Sequence, residues 1–266
     1  MQALCVAAVV AVLIPLGDML YKFTYRGIQI ISIPRLVNNP LATTPGIGNM
    51  IEGSFILLAI SAAIAIPLGV LGGIYMAEFS TGGRFTEGLR FAADVLAGVP
   101  SIVLGYVCFL ALVTFLNFGY SPMAAGISLA IIMFPYIFRT TEIAIARVPQ
   151  SIREGAIALG STKTIMINKL VFRFAFPGIL TGILLALGIS LSETAPLLYT
   201  ANFANYAPTS LFHSQLGYLT GVIYLFYTSN LPQYVQLAYL ATFLLIMIVL
   251  ALNVVARVGL KRFSKV

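Results

Sequence analysis

The chain has 266 residues, of which 60% are hydrophobic and only 9% charged, and its mean hydropathy is +1.00. Soluble domains carry about 25% charged residues, so the composition excludes a water-soluble enzyme and describes an all-α integral membrane protein. The net charge of +7 is scattered among short loops, which argues against nucleic-acid binding. Cys5 and Cys108 sit in separate apolar runs and read as packing residues rather than a disulfide or metal pair. His213 stands alone and reads as structural or solvated.

Residues 3–20 form the first apolar run, and roughly 18 residues suffice to cross a bilayer. No basic stretch precedes it and no small-residue cleavage site follows, so it reads as a retained span. Residues 21–49 are polar and rich in turn formers and are expected to be a loop; they carry Lys22, Arg26 and Arg35. The second span, 51–79, contains Pro67, Gly69, Gly72 and Gly73, small residues that let helices approach closely. A short turn is expected over 80–90. The third span, 91–117, is interrupted at Gly98, Val99, Pro100 and Ser101. Broken helices at membrane depth build substrate sites with N–H groups aimed at anions; a plain packing kink is the other reading. An uncharged turn, 118–122, leads to a fourth span, 123–138, with Pro135 near its end.

Residues 139–177 are the long polar interruption of the chain. They hold Arg139, Arg147, Arg153, Lys163, Lys169 and Arg173 but only Glu142 and Glu154. A Lys/Arg excess between spans places a segment in the cytoplasm. Arg139 and Glu142 fall three apart on one helix face. A guanidinium fork suits an oxyanion; an ion pair at a helix end is the alternative. Farther on, Glu154, Ala156 and Gly160 mark a short helix with Ile152, Ala156, Leu159 and Lys163 on one face. With a second short helix it makes a knob fit to dock on another protein, with Arg153 and Glu154 at its rim.

The fifth span, 174–201, is broken at Glu193, Thr194, Ala195 and Pro196. A carboxylate there is expensive unless paired or wetted, and Pro196 frees carbonyls upstream, as suits a cavity wall. Residues 202–215 are polar. Residues 219–227 are apolar but too short to span, hence re-entrant or interfacial. The sixth span is 232–257, followed by the basic tail of Lys261, Arg262 and Lys265. With knob and tail inside, six spans put both termini in the cytoplasm. Lys22, Arg26 and Arg35 then fall outside, against the positive-inside rule. Either they face an anionic partner or substrate, or a loop of this size tolerates them.

Glu154 to Gly160 resembles the EAA loop of type I ABC importer permeases. The Ile-x-Leu-Pro that follows in that family is Leu170 to Arg173 here, without the proline, and Pro177-Gly178-Ile179 matches a later element. Glu193 through Ala201, reading ETAPLLYTA, closely resembles a segment of the PstA-type permeases of phosphate ABC importers. Gly98 to Gly105 and Arg139-Thr140-Thr141-Glu142 are also similar to segments of phosphate permeases, and the resemblance covers residues from about 51 to the tail. One departure is Ile189, where many PstA-type chains have an arginine.

The resemblance implies a six-span permease domain covering residues 1–266, with a cytoplasmic coupling loop at about 139–173, in a prokaryotic inner membrane. It implies a second permease subunit (PstC-like), an ATPase subunit dimer (PstB-like) that binds ATP and magnesium, and an external phosphate-binding protein (PstS-like). Substrate-path residues would be Arg139, Glu142, Glu193, Thr194, Pro196, Gly98, Pro100 and Ser101. ATPase coupling would fall to Arg153, Glu154, Ala156, Gly160 and Lys163. A permease for molybdate, tungstate or sulfate is the near alternative, because Ile189 removes an anion contact. Gly155 and Gly160 mimic P-loop spacing, but Ser161 and Thr162 follow where Lys is needed. No second carboxylate, His or metal cluster accompanies Glu193 to support intramembrane catalysis, so the chain is expected to hold no cofactor and to catalyse nothing.

Overall fold

The computed structural model describes residues 1–80 and 82–263. Its elements are helices throughout: α1 (Gln2–Ile30), α2 (Ile33–Val37), α3 (Gly48–Ile74), α4 (Arg84–Gly98), α5 (Ser101–Cys108), α6 (Pro122–Ala146), α7 (Gln150–Ala158), α8 (Lys163–Met166), α9 (Phe172–Ser192), α10 (Ala195–Thr200), α11 (Leu219–Tyr227) and α12 (Pro232–Phe263). Wider π-helical turns extend α3 at Tyr75–Phe79, extend α5 at Phe109–Phe115 and join α8 to α9 at Ile167–Val171. Five helices are long and apolar enough to cross a membrane, and six if the bent pair α4–α5 counts as one span.

Several expected boundaries move. α1 runs on to Ile30, so Lys22 and Arg26 are helical rather than in a loop. Lys22 bridges to Asp18 one turn back at 2.6 Å, and no proline appears between Lys22 and Pro34. The turn expected over 80–90 closes by Gly83, and the third span is no straight crossing. Its two halves meet at 104°, because Val99 and Pro100 are extended and Pro100 has no N–H to continue the ladder. α6 continues through Arg139 to Ala146, so the coupling loop starts as membrane helix. The second short helix of the knob is the start of one continuous helix, Lys163–Ser192. The basic tail at 261–265 lies outside the residues whose side chains are described.

The chain forms two compact units. The first is Met1–Ser54, Phe203–Ala207 and Leu216–Ile248. Ile47, Met50, Leu219, Val222, Leu237 and Leu240 make its core. Gly27 of α1 meets Phe243 of α12 so closely that a Cβ there would stand 2.4 Å from the Phe243 Cβ. Residues 4–22 of α1 are all exposed.

The second unit is Phe55–Asn202, Pro208–Gln215 and Val249–Val266. α6 is its centre, burying Ser128, Leu129, Met133, Ile137 and Ile145. Small residues one turn apart let α3 and α9 approach it, as the sequence suggested for α3. A Cβ on Gly69 would stand 2.8 Å from Ile137, and one on Gly73 2.7 Å from the Phe138 carbonyl oxygen. On α9, Gly178 lies against Ala144, and Gly182 against Thr140. Met76, Ala93 and Phe138 seat α4 on the same bundle. His213 is a loop residue with φ of +52° whose N–H donates to the Phe118 carbonyl at 3.0 Å.

Candidate functional site

α4 carries Arg90 and Asp94 one turn apart, and packing against α6 brings both onto Arg139 and Glu142. Arg90 Nε donates to Glu142 Oε1 at 2.7 Å, and Arg139 Nη1 donates to Glu142 Oε2 at 2.8 Å. Arg139 also grips Asp94 with two nitrogens, Nε at 3.0 Å from Oδ1 and Nη2 at 3.3 Å from Oδ2. Two cations and two carboxylates thus cancel. The Glu142 side chain is only 8% exposed, whereas Asp94 is 56% exposed. A buried carboxylate with a guanidinium on each oxygen is satisfied. The exposed pair is the loose one, and an oxyanion reaching Arg139 would compete with Asp94 for the same fork. The sequence paired Arg139 with Glu142 but gave no sign of Arg90 or Asp94.

The two broken strings of the sequence meet. α9 ends at Ser192, Glu193 is extended with φ −71° and ψ 135°, and α10 restarts at Ala195 with Pro196 in its first turn. Ser101, the first residue of α5, hydrogen-bonds the Glu193 carboxylate. That carboxylate therefore sits at a helix N-terminus, where negative charge is favoured. A Cβ on Gly105 would stand 2.6 Å from Pro196 Cα, so α5 and α10 touch backbone to backbone. Tyr106 meets Tyr199 edge-on at 5.8 Å. Gly98 and Pro100 form the exposed corner before Ser101, and Thr194, half-buried, precedes α10. Ile189, Gly188, Ser192, Glu193, Val249 and Asn253 line an open hollow of about 360 Å³. α4 links this group to the charge cluster, since it carries Arg90 and Asp94 and ends at Gly98.

The knob differs from its expected layout. α7 stops at Ala158, so Leu159 and Lys163 leave the helix face they were assigned to, and Leu159 is 89% exposed. Ala156 is buried with Ile145, Met166, Ile167 and Val171. Arg153, expected at the rim, turns inward. Its Nη2 meets Glu78 Oε1 at 2.8 Å and the Ile145 carbonyl at 2.9 Å, and Nη1 donates to the Val148 carbonyl. The side chains of Arg153 and Glu78 are 13% and 6% exposed. Lys163 Nζ donates to the Glu78 carbonyl at 2.6 Å and stands 4.7 Å from the Phe79 ring centre. Both cations therefore brace α7 and the helix after it onto the π turn that ends α3. What the knob shows to solvent is Glu154, Gly155, Ile157, Ala158, Leu159 and Gly160.

Residues 69–265 match the family described as binding-protein-dependent transport system inner membrane component. The chain is similar to the phosphate transport system permease protein PstA 2 of Mycobacterium bovis, 40% identical over 256 residues, 96% of this chain and 85% of that one. It is also similar to the phosphate transport system permease protein PstA of Pasteurella multocida, 34% identical over 252 residues, 92% of this chain and 88% of that one. Among solved structures, a bacterial alginate ABC transporter in complex with an alginate-bound periplasmic protein aligns with a TM-score of 0.71 at 16% identity, covering 99% of this chain and 94% of that chain. An inward-facing MetNI methionine ABC transporter aligns with a TM-score of 0.65 at 16% identity, covering 82% and 97%. The fold is that of ABC importer permeases, and with this match the chain belongs to the binding-protein-dependent transport system inner membrane component family.

Proposed function

We propose that the chain is a permease subunit of an ATP-driven importer of inorganic phosphate, forming part of the path by alternating access. The observation that carries the cargo is the 40% identity, over 96% of the chain, to a protein named as a phosphate transport permease. Partners would be a second permease subunit, a pair of ATPase subunits holding ATP and magnesium, and an external phosphate-binding protein. In the proposed orientation α7 and both termini face the cytoplasm. The exposed part of α7 from Glu154 to Gly160 would dock on the ATPase.

The bracing by Arg153 gives a route for the motion. A push on α7 passes to Glu78 at the end of α3, and to Ile145 and Val148 at the end of α6. α6 carries Arg139 and Glu142, so the push shifts α6 against α4. Asp94 is then exchanged for the anion on Arg139, while Glu142 keeps Arg90. Gly98, Pro100, Ser101, Glu193, Thr194 and Pro196 form the hinged wall of the path, and Ser101 with Glu193 holds it shut in this state. The test is uptake by the complete complex reconstituted in vesicles with ATP and its binding protein. Labelled phosphate should be taken up, with unlabelled molybdate, tungstate and sulfate competing weakly. Faster uptake of one of those anions would overturn the phosphate assignment.

A further inference from the structure

Arg26 and Arg35 broke the expected charge pattern of the membrane, and the first unit shows where they go. Lys22 is neutralised by Asp18. Neither arginine has a carboxylate partner among the described residues. Arg26 Nη1 donates to the Tyr239 hydroxyl at 2.5 Å, and its guanidinium stands 4.8 Å from that ring's centre. Arg35 donates to the Ile30 carbonyl and to Gln236 Oε1, each at 3.3 Å. Both sets of partners belong to one open hollow of about 450 Å³ between the end of α1 and the start of α12. Gln29 and Asn230 also line it, and no carboxylate does.

Three oxygens of this hollow, on Tyr239, Ile30 and Gln236, accept from the arginines. Arg35 takes the Gln236 oxygen, which leaves the amide NH2 as that side chain's free group. The hollow offers the rest of the Arg26 guanidinium and the amide NH2 groups of Gln29, Asn230 and Gln236 as donors, and its cations carry no countercharge among the described residues. A guanidinium among amide donors is the chemistry that reads a tetrahedral oxyanion. The hollow also lies where two candidate membrane spans end, and Ile28 and Leu231, neighbours in sequence of its lining, are exposed.

We propose that this hollow binds a phosphate group, carried either by an anionic phospholipid or as inorganic phosphate. The proposal does not depend on the cargo assigned above. The test uses the whole transporter complex purified in detergent. One arm adds phosphatidylglycerol, with phosphatidylcholine as the uncharged control, and counts bound lipid by native mass spectrometry. The other measures inorganic phosphate by equilibrium dialysis. The expected result is a bound ligand in one arm whose affinity falls at least tenfold in the double variant Arg26→Gln, Arg35→Gln. The arm that responds identifies the source. Gln29→Glu, which puts a carboxylate into the hollow and deletes no arginine, should lower affinity likewise. Binding equal in wild type and in an assembled variant, or absent from wild type in both arms, overturns the site.

Discussion

Arg139 divides its N–H donors between Asp94 on the open side and Glu142 on the buried side, and the two carboxylates give opposite expectations. Asp94→Asn breaks an exposed pair, worth roughly 0–1 kcal/mol, so the melting temperature of the complex should hardly move. Because the anion then competes with a neutral amide, half-saturation for phosphate uptake should fall a few-fold. Glu142→Gln leaves two guanidiniums facing each other around a neutral group. Loss of one partner from a buried pair costs about 3–5 kcal/mol, less here because both arginines are partly open. The variant should melt lower and be recovered in reduced yield. Arg139→Lys keeps the charge and loses the fork, so uptake should drop while assembly is kept; unchanged uptake in the inserted variant removes Arg139 from the path. At Glu193, Gln still accepts from Ser101, so if the wall is held by that hydrogen bond Glu193→Gln should transport nearly normally and Glu193→Ala should not. Arg139 with Glu142 was readable because three residues on a helix is a local distance. Arg90 and Asp94 were not, since nothing in their spacing says which helix α4 will lie against.

At the level of elements, the breaks were legible and their geometry was not. Gly98, Pro100 and Pro196 mark where helices stop, but no local rule states that the chain turns through 104° or that α5 then meets α10. Helix lengths were underread because charged residues were taken as loop. Lys22 and Arg139 are both helical, supported by an ion pair to a neighbouring turn in each case. α7 shows the same limit. At Gly160 there is no lack of room, since nothing lies within 4 Å of a Cβ placed there. Its φ of +80° is what excludes other residues. Gly160→Val therefore imposes about 1–2 kcal/mol of backbone strain and redirects the end of α7. ATP hydrolysis should continue in the assembled complex while phosphate taken up per ATP falls. Normal coupling in that variant would remove α7 from the docking surface. Arg153→Ala strips the partner from buried Glu78 and should loosen the knob, detected as faster proteolysis after Arg147 with the rest of the chain intact.

For the whole molecule, the orientation proposed from the distribution of cations is open to a labelling test. In chain order one candidate span, Lys163–Ser192, lies between the exposed Leu159 and the exposed Leu211. Cysteines placed singly at these positions should react with an impermeant thiol reagent from opposite sides of the membrane, Leu159→Cys only in inverted vesicles. Reaction of both from one side would refute the topology. The joining of α1 to α12 has a further consequence, for the order of events at the ribosome. α1 leaves the tunnel about 200 residues before α12, yet Gly27 packs on Phe243 and Arg26 on Tyr239. The first unit thus cannot close until α12 has emerged, a strongly non-local pairing. Until then α1 must persist in lipid on its own hydrophobicity, which its apolar, exposed residues equip it to do. A chain cut short before α12 leaves the α1 side of that seam bare, a mark by which membrane proteases can tell an unfinished copy from a finished one.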